Sequence, residues 1–410
     1  MDDEELLNLA CLRAAWEVAK AGSVSRAAAA LFRAQSAVTR AVQETEAALG
    51  ACMFDRKPTG MLPTPVGRTV LERGERIFDE LGELARWCAA QQSRRRAVSD
   101  GGVPAYLLHT RRLQVFSILA RHRHMPSTAR ALGITQPAVS SAIRILENGA
   151  GLPLFYRHPR GLMLTSEGET FLLHVRRALN ELRHVVDDVF ALRGSVQGVV
   201  TVGALPLGRT LILPKAVAQV IGRYPGVRVV TDESAYEPLV AGLRAGDVDF
   251  VLGALRDNDA ASGLETEKLL SEDLAILARR GHALADARGL ALKDLTRAQW
   301  ILPRAHSPAR SLFESLFKRM KLEPPMPTIE TADLAIIRGL LFNSDMIAVL
   351  SAHQLHYERA SGQLAALDVP MPKTRRDIGL TLRAGSTPSP AARVLIEAIR
   401  EAADKVAGRK

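Results

Sequence analysis

Cysteine is scarce in this sequence, whose 410 residues include only Cys11, Cys52 and Cys88. Three cysteines with no CxxC pair exclude a disulfide-rich scaffold and a zinc site built from paired cysteines. Long hydrophobic runs are also missing, and the chain starts with MDDEELLNLA, which is acidic where a secretory signal is basic. We therefore expect reduced thiols in a cytoplasmic protein that does not associate with a membrane.

Signatures of catalysis are missing as well. The sequence contains no Gly-rich phosphate-binding loop, no HExxH and no GxSxG motif. His353 and His356 have a spacing that suits a metal, but two ligands without a third are more typical of surface histidines. The sequence therefore predicts no catalytic residue, no metal site and no cofactor.

An internal repeat is the strongest feature that is present. A shift of 101 positions superimposes residues 12–81 on residues 113–182 without a gap. Identical pairs include Leu12 and Leu113, Ala28 and Ala129, Gln35 and Gln136, Glu46 and Glu147, Gly60 and Gly161, Thr64 and Thr165, and Leu81 and Leu182. A repeat of this length indicates one structural unit that is duplicated within the chain.

The second copy carries a helix-turn-helix pattern over residues 126–157. Its small and apolar residues have the mixed three-and-four spacing of two helices that each bury one face: Ala129, Leu132, Ile134, Val139, Ile143 and Leu146. Gly133 permits the positive φ of a tight turn between these helices. Thr135 is placed to cap the second helix, and Pro137 lies in its first turn.

The outward face of that second helix predicts DNA contacts. Short polar groups and a guanidinium, which can reach base edges and phosphates in a major groove, occur at Gln136, Ser140, Ser141 and Arg144, with Pro137 among them. The first copy has Gln35, Ser36, Thr39 and Arg40 on the corresponding helix. An ordinary two-helix corner of a globular core remains the alternative for either copy taken alone.

Each copy continues into a basic segment with turn residues, RKPTG at 56–60 and RHPRG at 157–161. Proline and glycine mark a hairpin turn, and Arg56, Arg157 and Arg160 suit phosphates or a minor groove. A solvated charged loop is the alternative.

A long helix is predicted after each hairpin. It begins at Thr64 and Pro65 in the first copy, and at Thr165, or at Ser166 with Glu169 as a capping box, in the second. The second helix carries a heptad seam, which predicts pairing with another chain: Leu172, Val175, Leu179, Leu182, Val186 and Val189. The seam of the first helix is poorer.

Positive charge is concentrated on the second copy. Residues 101–195 hold 12 Lys and Arg against 6 Asp and Glu, whereas residues 1–100 hold 14 of each. Because cations neutralise DNA phosphates, we expect the second copy to supply most of the affinity for DNA. Residues 91–106, with three arginines and paired glycines, are predicted to form a flexible linker.

From about Val196 onward, strands alternate with helices. Strands are predicted at 199–202, 227–230 and 250–253, and helices at 211–223, 236–245 and 390–406. This alternation predicts a parallel sheet that is covered on both faces. In such sheets, ligands bind beyond the carboxyl ends of the strands.

Two segments, AQSAVTRAVQETEAALGACMFDR at 34–56 and TQPAVSSAIRILENGAGLPLFYR at 135–157, resemble the winged helix-turn-helix of LysR-type transcriptional regulators. Residues 198–230 are similar to the effector domain of that family, and residues 269–284, 292–310 and 331–355 to its second lobe. The family usually has one DNA-binding unit, so the second unit is a departure.

The resemblance implies a multidomain chain with tandem winged helix-turn-helix units and a two-lobed α/β effector domain of the periplasmic-binding-protein type. The expected domains are a first unit with its helix at 1–90, a linker at 91–106, a second DNA-binding unit at 107–164, a linker or dimerisation helix at 165–193, and the effector domain at 196–408.

The resemblance also implies a homodimer or homotetramer in which the second long helices pair two chains and place their recognition helices on successive major grooves. The expected partners are double-stranded DNA, a small-molecule effector and RNA polymerase.

An effector cleft is expected between the two lobes. Residues expected to form it are Leu205, Pro206, Leu207, Gly208, Thr210, Gly253 and Ala254 from the first lobe, and Arg304, His306, Ser307 and Thr331 from the second. Backbone N–H groups at a helix start, with a nearby Arg or Ser, can hold a carboxylate, so we expect an organic acid. The alternative is that Arg304 pairs with a surface acid and His306 is an ordinary loop histidine.

Together these features predict a sequence-specific transcriptional regulator that is controlled by a bound effector. A solute-binding protein would share the two-lobed fold but predicts an export signal. A metabolic enzyme on the same lobes predicts catalytic side chains that the sequence does not supply.

Overall fold

The computed structural model describes residues 6–57, 60–91, 102–159, 161–256 and 263–408. The chain divides into two compact units, residues 1–198 with 244–247 and residues 199–243 with 248–410. None of the helices in the described ranges combines the length and the apolar character needed to cross a bilayer.

In the first unit, three helices, a two-stranded hairpin and a long helix occur twice in the same order. The first set consists of α1 (Leu9–Ala21), α2 (Val24–Ala30), α3 (Gln35–Leu49), β1 (Phe54–Lys57), β2 (Gly60–Pro63) and α4 (Pro65–Gln91). The second set, which follows a 3₁₀ helix at Ala105–Leu107, consists of α5 (Thr110–His122), α6 (Met125–Ala131), α7 (Gln136–Ala150), β3 (Phe155–His158), β4 (Gly161–Leu164) and α8 (Ser166–Leu192).

The predicted helix boundaries follow from their capping residues. Thr135 Oγ1 accepts a hydrogen bond from the backbone N–H of Ala138 at the start of α7, and Gly133 before it has φ +62°. Thr165, rather than the alternative of Ser166 with Glu169, caps α8, because its Oγ1 accepts from the N–H of Gly168 at 2.9 Å.

Matching side chains make matching hydrogen bonds in the two sets. Glu46 Oε1 on α3 accepts from the backbone N–H of Met53 at 2.7 Å, and Glu147 Oε1 on α7 accepts from that of Leu154 at 2.9 Å. Each carboxylate thereby attaches the end of its helix to the start of the following hairpin.

The glycine of each hairpin turn is required by a close backbone approach. A Cβ on Gly60 would lie 2.5 Å from the carbonyl oxygen of Gly22, and one on Gly161 would lie 2.7 Å from that of Arg123. Both glycines also have a positive φ, so the turn admits no larger residue without strain.

The heptad seam of α8 has a different neighbour from the one predicted. Leu172, Val175, Leu179, Leu182 and Val189 are buried in a core shared with the first set of elements, and α8 packs along α4 of the same chain. Within this chain the seam is therefore covered by α4, and its pairing with another chain stays a prediction. A heptad pattern indicates that a helix packs against another helix, but it does not indicate which chain supplies that helix.

The second unit contains two five-stranded sheets. Its first lobe is formed by β5 (Gln197–Ala204), α9 (Ile212–Arg223), β6 (Gly226–Asp232), α10 (Tyr236–Ala245), β7 (Phe250–Ala254), β8 (Leu264–Glu272), β14 (Arg376–Arg383) and α14 (Pro390–Val406). Its second lobe is formed by β9 (Leu274–Arg279), β10 (Trp300–Leu302), α11 (Pro308–Arg319), β11 (Pro327–Glu330), α12 (Leu334–Asn343), β12 (Ile347–Ser351), α13 (His356–Ala360) and β13 (Leu364–Ala366).

Both sheets are mixed rather than parallel, which corrects the sequence prediction. The strand orders are β6-β5-β7-β14-β8 and β11-β10-β12-β9-β13. The pairs β5–β7, β10–β11 and β10–β12 are parallel. β14 is antiparallel to both of its neighbours, and so is β9, because these strands carry the chain between the lobes. The predicted helices over 236–245 and 390–406 are confirmed, and α14 packs on α9 in the first lobe.

Candidate DNA-binding surface and effector cavity

Helix α7 presents the predicted polar residues on one exposed face. Gln136, Pro137, Ser140 and Arg144 are exposed and Ser141 is half-buried, while the opposite face of α7 buries Val139, Ile143 and Leu146. Arg144 has no ion-pair partner among the described residues, so its guanidinium is available to an external anion. This combination is typical of a recognition helix that enters a major groove.

Helix α3 has the same placement but a different electrostatic state. Gln35, Ser36 and Arg40 are exposed and Thr39 is half-buried. Arg40 Nε donates to Glu44 Oε1 at 2.9 Å, so the cation of this helix is already paired. Hydrogen bonds from Cys11 and Arg40 hold the pKa of Glu44 below its ordinary value, which keeps the carboxylate charged.

The two hairpins are antiparallel, as predicted. Arg157 lies exposed on β3, and Tyr156 beside it is also exposed. Arg56 lies on β1, paired in register with Met61. The side chain of Arg56 and the whole of Arg160 lie outside the described residues, as does 92–101 of the predicted linker.

The second unit contains a cavity of about 520 Å³ that is lined by both of its lobes. This volume is in the range of small-molecule sites. Among the residues predicted for the cleft, seven line the cavity: Leu205, Pro206, Leu207, Ala254, Arg304, Ser307 and Thr331.

Four predicted residues do not line the cavity, for reasons of local packing. The space beside Gly208 is filled by the side chain of Leu252, and that beside Gly253 by the side chain of Leu205. Thr210 Oγ1 is buried away from the cavity. His306 is exposed in a turn with φ +62°.

The cavity contains arginines that the sequence did not identify. Arg209, Arg256 and Arg376 join Arg304 in the lining, against two carboxylates, Glu233 and Asp333. Asp333 Oδ1 already accepts from two backbone N–H groups at the start of α12. The cavity therefore has an excess of positive charge.

Arg376 is the least solvated of these cations. Its Nη2 donates to Ser351 Oγ at 2.5 Å, and its Nε is buried without a hydrogen-bond partner among the described residues. Desolvation lowers the pKa of Arg376 to about 10, so the group remains charged at neutral pH. Arg376 begins β14, which is distant in sequence from the other lining residues, and no local motif marks it.

Arg256 is held against the wall of the cavity by Tyr236. Its guanidinium carbon lies 3.4 Å from the centre of the Tyr236 ring, and its Nη1 lies 3.3 Å from Glu237 Oε1. A stacked and paired guanidinium adds positive charge at a fixed position.

Comparisons with known proteins agree with this architecture. The model of the LysR substrate binding domain matches residues 193–404, and that of the bacterial regulatory helix-turn-helix protein, lysR family, matches residues 9–68 and 110–169. The chain is 49% identical over 98% of its length to the HTH-type transcriptional regulator GalR of Pseudomonas putida, covering 98% of that protein. This chain belongs to the LysR family of transcriptional regulators.

Solved structures of LysR-type regulators are similar in fold. A cysteine-to-aspartate variant of full-length OxyR from Pseudomonas aeruginosa has a TM-score of 0.56 at 20% identity, covering 72% of this chain and 94% of its own. CbnR complexed with target DNA has a TM-score of 0.51 at 22% identity, covering 72% and 99%. In both comparisons, 72% of this chain covers almost the whole of the solved structure. The relative from Pseudomonas putida instead matches 98% of this chain.

Membership of the family establishes the general function. The protein is a DNA-binding transcriptional regulator with a substrate-binding domain for a small-molecule effector. It is not an enzyme, since its relatives are transcriptional regulators. LysR-type regulators form oligomers, which agrees with the oligomeric protein expected from the sequence.

Proposed function

We propose that this LysR-type regulator reads DNA with two tandem winged helix-turn-helix units, residues 1–90 and 107–164, and that the second unit supplies most of the affinity. The observation that carries the proposal is the exposed polar face of α7 with Arg144, for which the described residues supply no ion-pair partner. The proposed DNA-contacting residues are those predicted from the sequence, with Arg157 and Arg160 on the second hairpin and Arg56 on the first. The effector domain spans 196–408.

The DNA proposal is tested by titrating the protein against duplex DNA from upstream of its own gene at several salt concentrations. A protein that neutralises several phosphates must bind less tightly as the salt concentration rises. We expect saturable binding with a steep salt dependence and preference over a scrambled duplex. Binding that is insensitive to salt, or equal for the scrambled duplex, would contradict the proposal.

The effector is proposed to be an organic acid whose carboxylate binds Arg376. Four arginines face two carboxylates in a cavity of about 520 Å³, and the buried Nε of Arg376, which finds no hydrogen-bond acceptor in the described part of the chain, favours an anion. Ser351 Oγ, which already accepts from Arg376, holds that guanidinium in position.

Calorimetric titration with a panel of small carboxylic acids and their primary amides tests this assignment. We expect one or more acids to bind while the matched amides do not. Arg376→Gln should weaken acid binding by roughly 10–100-fold, the value of a hydrogen bond to a charged group. Arg304→Gln, which changes an exposed arginine of the same cavity, should have a smaller effect. Equal binding of acid and amide would argue against the assignment.

In the cell, the regulator is proposed to work in the cytoplasm as a homodimer or homotetramer. An effector that binds one arrangement of the two lobes more tightly shifts the assembly toward that arrangement. The shift would change how the DNA is held or how RNA polymerase is contacted. The sign of the response depends on which arrangement engages the polymerase.

A further inference from the structure

Helices α4 and α8 form an antiparallel pair within one chain, and their polar contacts come in two matched sets. On one side, Glu181 Oε2 accepts from Arg73 Nη1 at 2.7 Å and from Arg76 Nε at 3.1 Å. Arg73 also contacts Asp188, whereas Arg76, one turn further along α4, contacts the earlier residue Glu181 on α8. The two helices therefore run antiparallel.

The second set of contacts is the first set with the copies exchanged. Glu80 Oε1 accepts from His174 Nδ1 at 2.6 Å and lies 3.4 Å from Arg177 Nη1. The shift of 101 positions relates Arg73 to His174, Arg76 to Arg177 and Glu80 to Glu181. Arg76 on α4 contacts Glu181 on α8, and their equivalents, Arg177 on α8 and Glu80 on α4, make the same contact in reverse. Such reciprocal contacts are characteristic of a two-fold interface.

A contact between two equivalent residues places the two-fold axis. The backbone N–H of Leu9 donates to Thr110 Oγ1 at 2.9 Å, and Leu9 and Thr110 are themselves 101 positions apart. A residue can meet its own equivalent only close to the axis. The two repeats therefore pack as the two halves of a dimer would, but inside one chain.

The two halves of this interface differ in charge, and the difference favours the pairing of α4 with α8. Arg73 Nε donates to Asp188 Oδ2 at 2.6 Å, and the side chain of Arg73 is only 1% exposed. The equivalent of Asp188 on α4 is Trp87, and the equivalent of Arg73 on α8 is His174.

Pairing α8 with α8 of another chain would remove this match. Each Asp188 would then face His174 instead of Arg73, so two buried carboxylates would lose the guanidinium that they contact here. Each Glu181 would face His174 and Arg177, as Glu80 does in this chain. A buried charge without its partner is strongly unfavourable, and such mismatches select one pairing over another.

From this interface we infer that a single chain carries a complete DNA-binding module with two heads, the winged helix-turn-helix units that contain α3 and α7. The module binds a bipartite operator with two different half-sites, one read by α3 and the other by α7. The inference rests on the proposed function and deepens it. Because α3 carries Ser36, Thr39 and Arg40 where α7 carries Pro137, Ser140 and Ser141, the half-sites need not be related by symmetry.

The test places a DNA-cleaving iron chelate on one head at a time. Ala47→Cys on α3 and Asn148→Cys on α7 are exposed, equivalent positions outside the proposed contact residues. Cys52, which is exposed, is replaced by Ser in both variants. Cys11 and Cys88 are buried, and desolvation raises the pKa of each to about 11, so they react poorly with the label. The DNA is trimmed from the protected upstream fragment to the shortest duplex that the unlabelled protein still binds, so that it holds the site of one chain of the proposed homo-oligomer.

We expect the α3 label to cut one half of the protected site and the α7 label to cut only the other half. Cutting of both halves by the α7 label would overturn the inference, because it requires two α7 heads on one site. No cutting by the α3 label would overturn it as well. In both of those results the proposed DNA binding survives, whereas the absence of any protected fragment would remove both proposals.

Discussion

The two repeats of the DNA-binding unit share a backbone plan but differ in electrostatics and in local strain. The equivalent carboxylates Glu46 and Glu147 make the same backbone hydrogen bonds. In contrast, Arg40 on α3 is paired with Glu44, while Arg144 on α7 has no partner among the described residues. The comparison teaches that duplication preserved the residues that build the fold, while the residues that would contact DNA diverged.

The largest effect is expected from the buried arginine that joins the repeats. Arg73→Ala removes the buried guanidinium that Glu181 and Asp188 share, and should lower the free energy of unfolding by about 3–5 kcal/mol. Arg68→Ala, on the exposed face of α4, is the matched control and should change stability by less than about 0.5 kcal/mol. Denaturant unfolding measures both. Equal stability of the two variants would mean that the contact between the repeats is not an organising feature.

The second-largest effect is expected on DNA affinity, where the recognition helices α3 and α7 differ. Arg144→Glu reverses an available cation and should weaken operator binding by roughly 10–100-fold, the range of one specific contact. Arg40→Glu reverses a cation that Glu44 already neutralises, so a loss of only about twofold to fivefold is expected. Binding is measured by fluorescence anisotropy at one salt concentration. Equal losses would refute the ranking of the two heads.

The smallest effect concerns the turn before each recognition helix. Phe32 adopts φ +51° where the second repeat has Gly133 at φ +62°, and the Phe32 side chain is 97% exposed. Phe32→Gly should therefore raise stability by about 0.5–1 kcal/mol, since it relieves a left-handed backbone and removes almost no buried surface.

Gly133→Phe is the converse substitution. A Cβ at Gly133 meets nothing within 4 Å, so any loss, of about 1 kcal/mol, comes from the backbone alone. A rise in stability for Phe32→Gly and a loss of stability for Gly133→Phe, both measured by thermal unfolding, would support this account. A loss of stability in Phe32→Gly would show instead that the Phe32 ring makes a useful contact.

Much of the local structure could be predicted from the sequence because it depends on local residues. Capping by Thr135, the turn at Gly133 and the amphipathic pattern of α7 are each decided within a few positions. The same holds for the helix over 390–406, which starts after the capping residue Ser389.

What the sequence could not provide depends on long-range packing. The seam of α8 is satisfied by α4, about a hundred residues earlier in the chain, and nothing in the seam distinguishes that helix from one in another chain. Arg376 reaches the effector cavity because β14 returns to the first sheet between β7 and β8. Its place in the cavity wall is set by topology rather than by a neighbouring motif.

The most direct test of the intrachain pairing is cross-linking of the full-length protein with a mixture of heavy-isotope and light chains. A dihydrazide reagent joins carboxylates, and exposed acids lie at the same end of the antiparallel pair, Glu83 on α4 beside His174 and Glu169 on α8. Cross-links between identical residues, which must join two chains, show that heavy and light chains have mixed. We predict that peptides joining α4 to α8 will be purely heavy or purely light. Mixed heavy–light pairs of α4 and α8 would contradict the pairing within one chain.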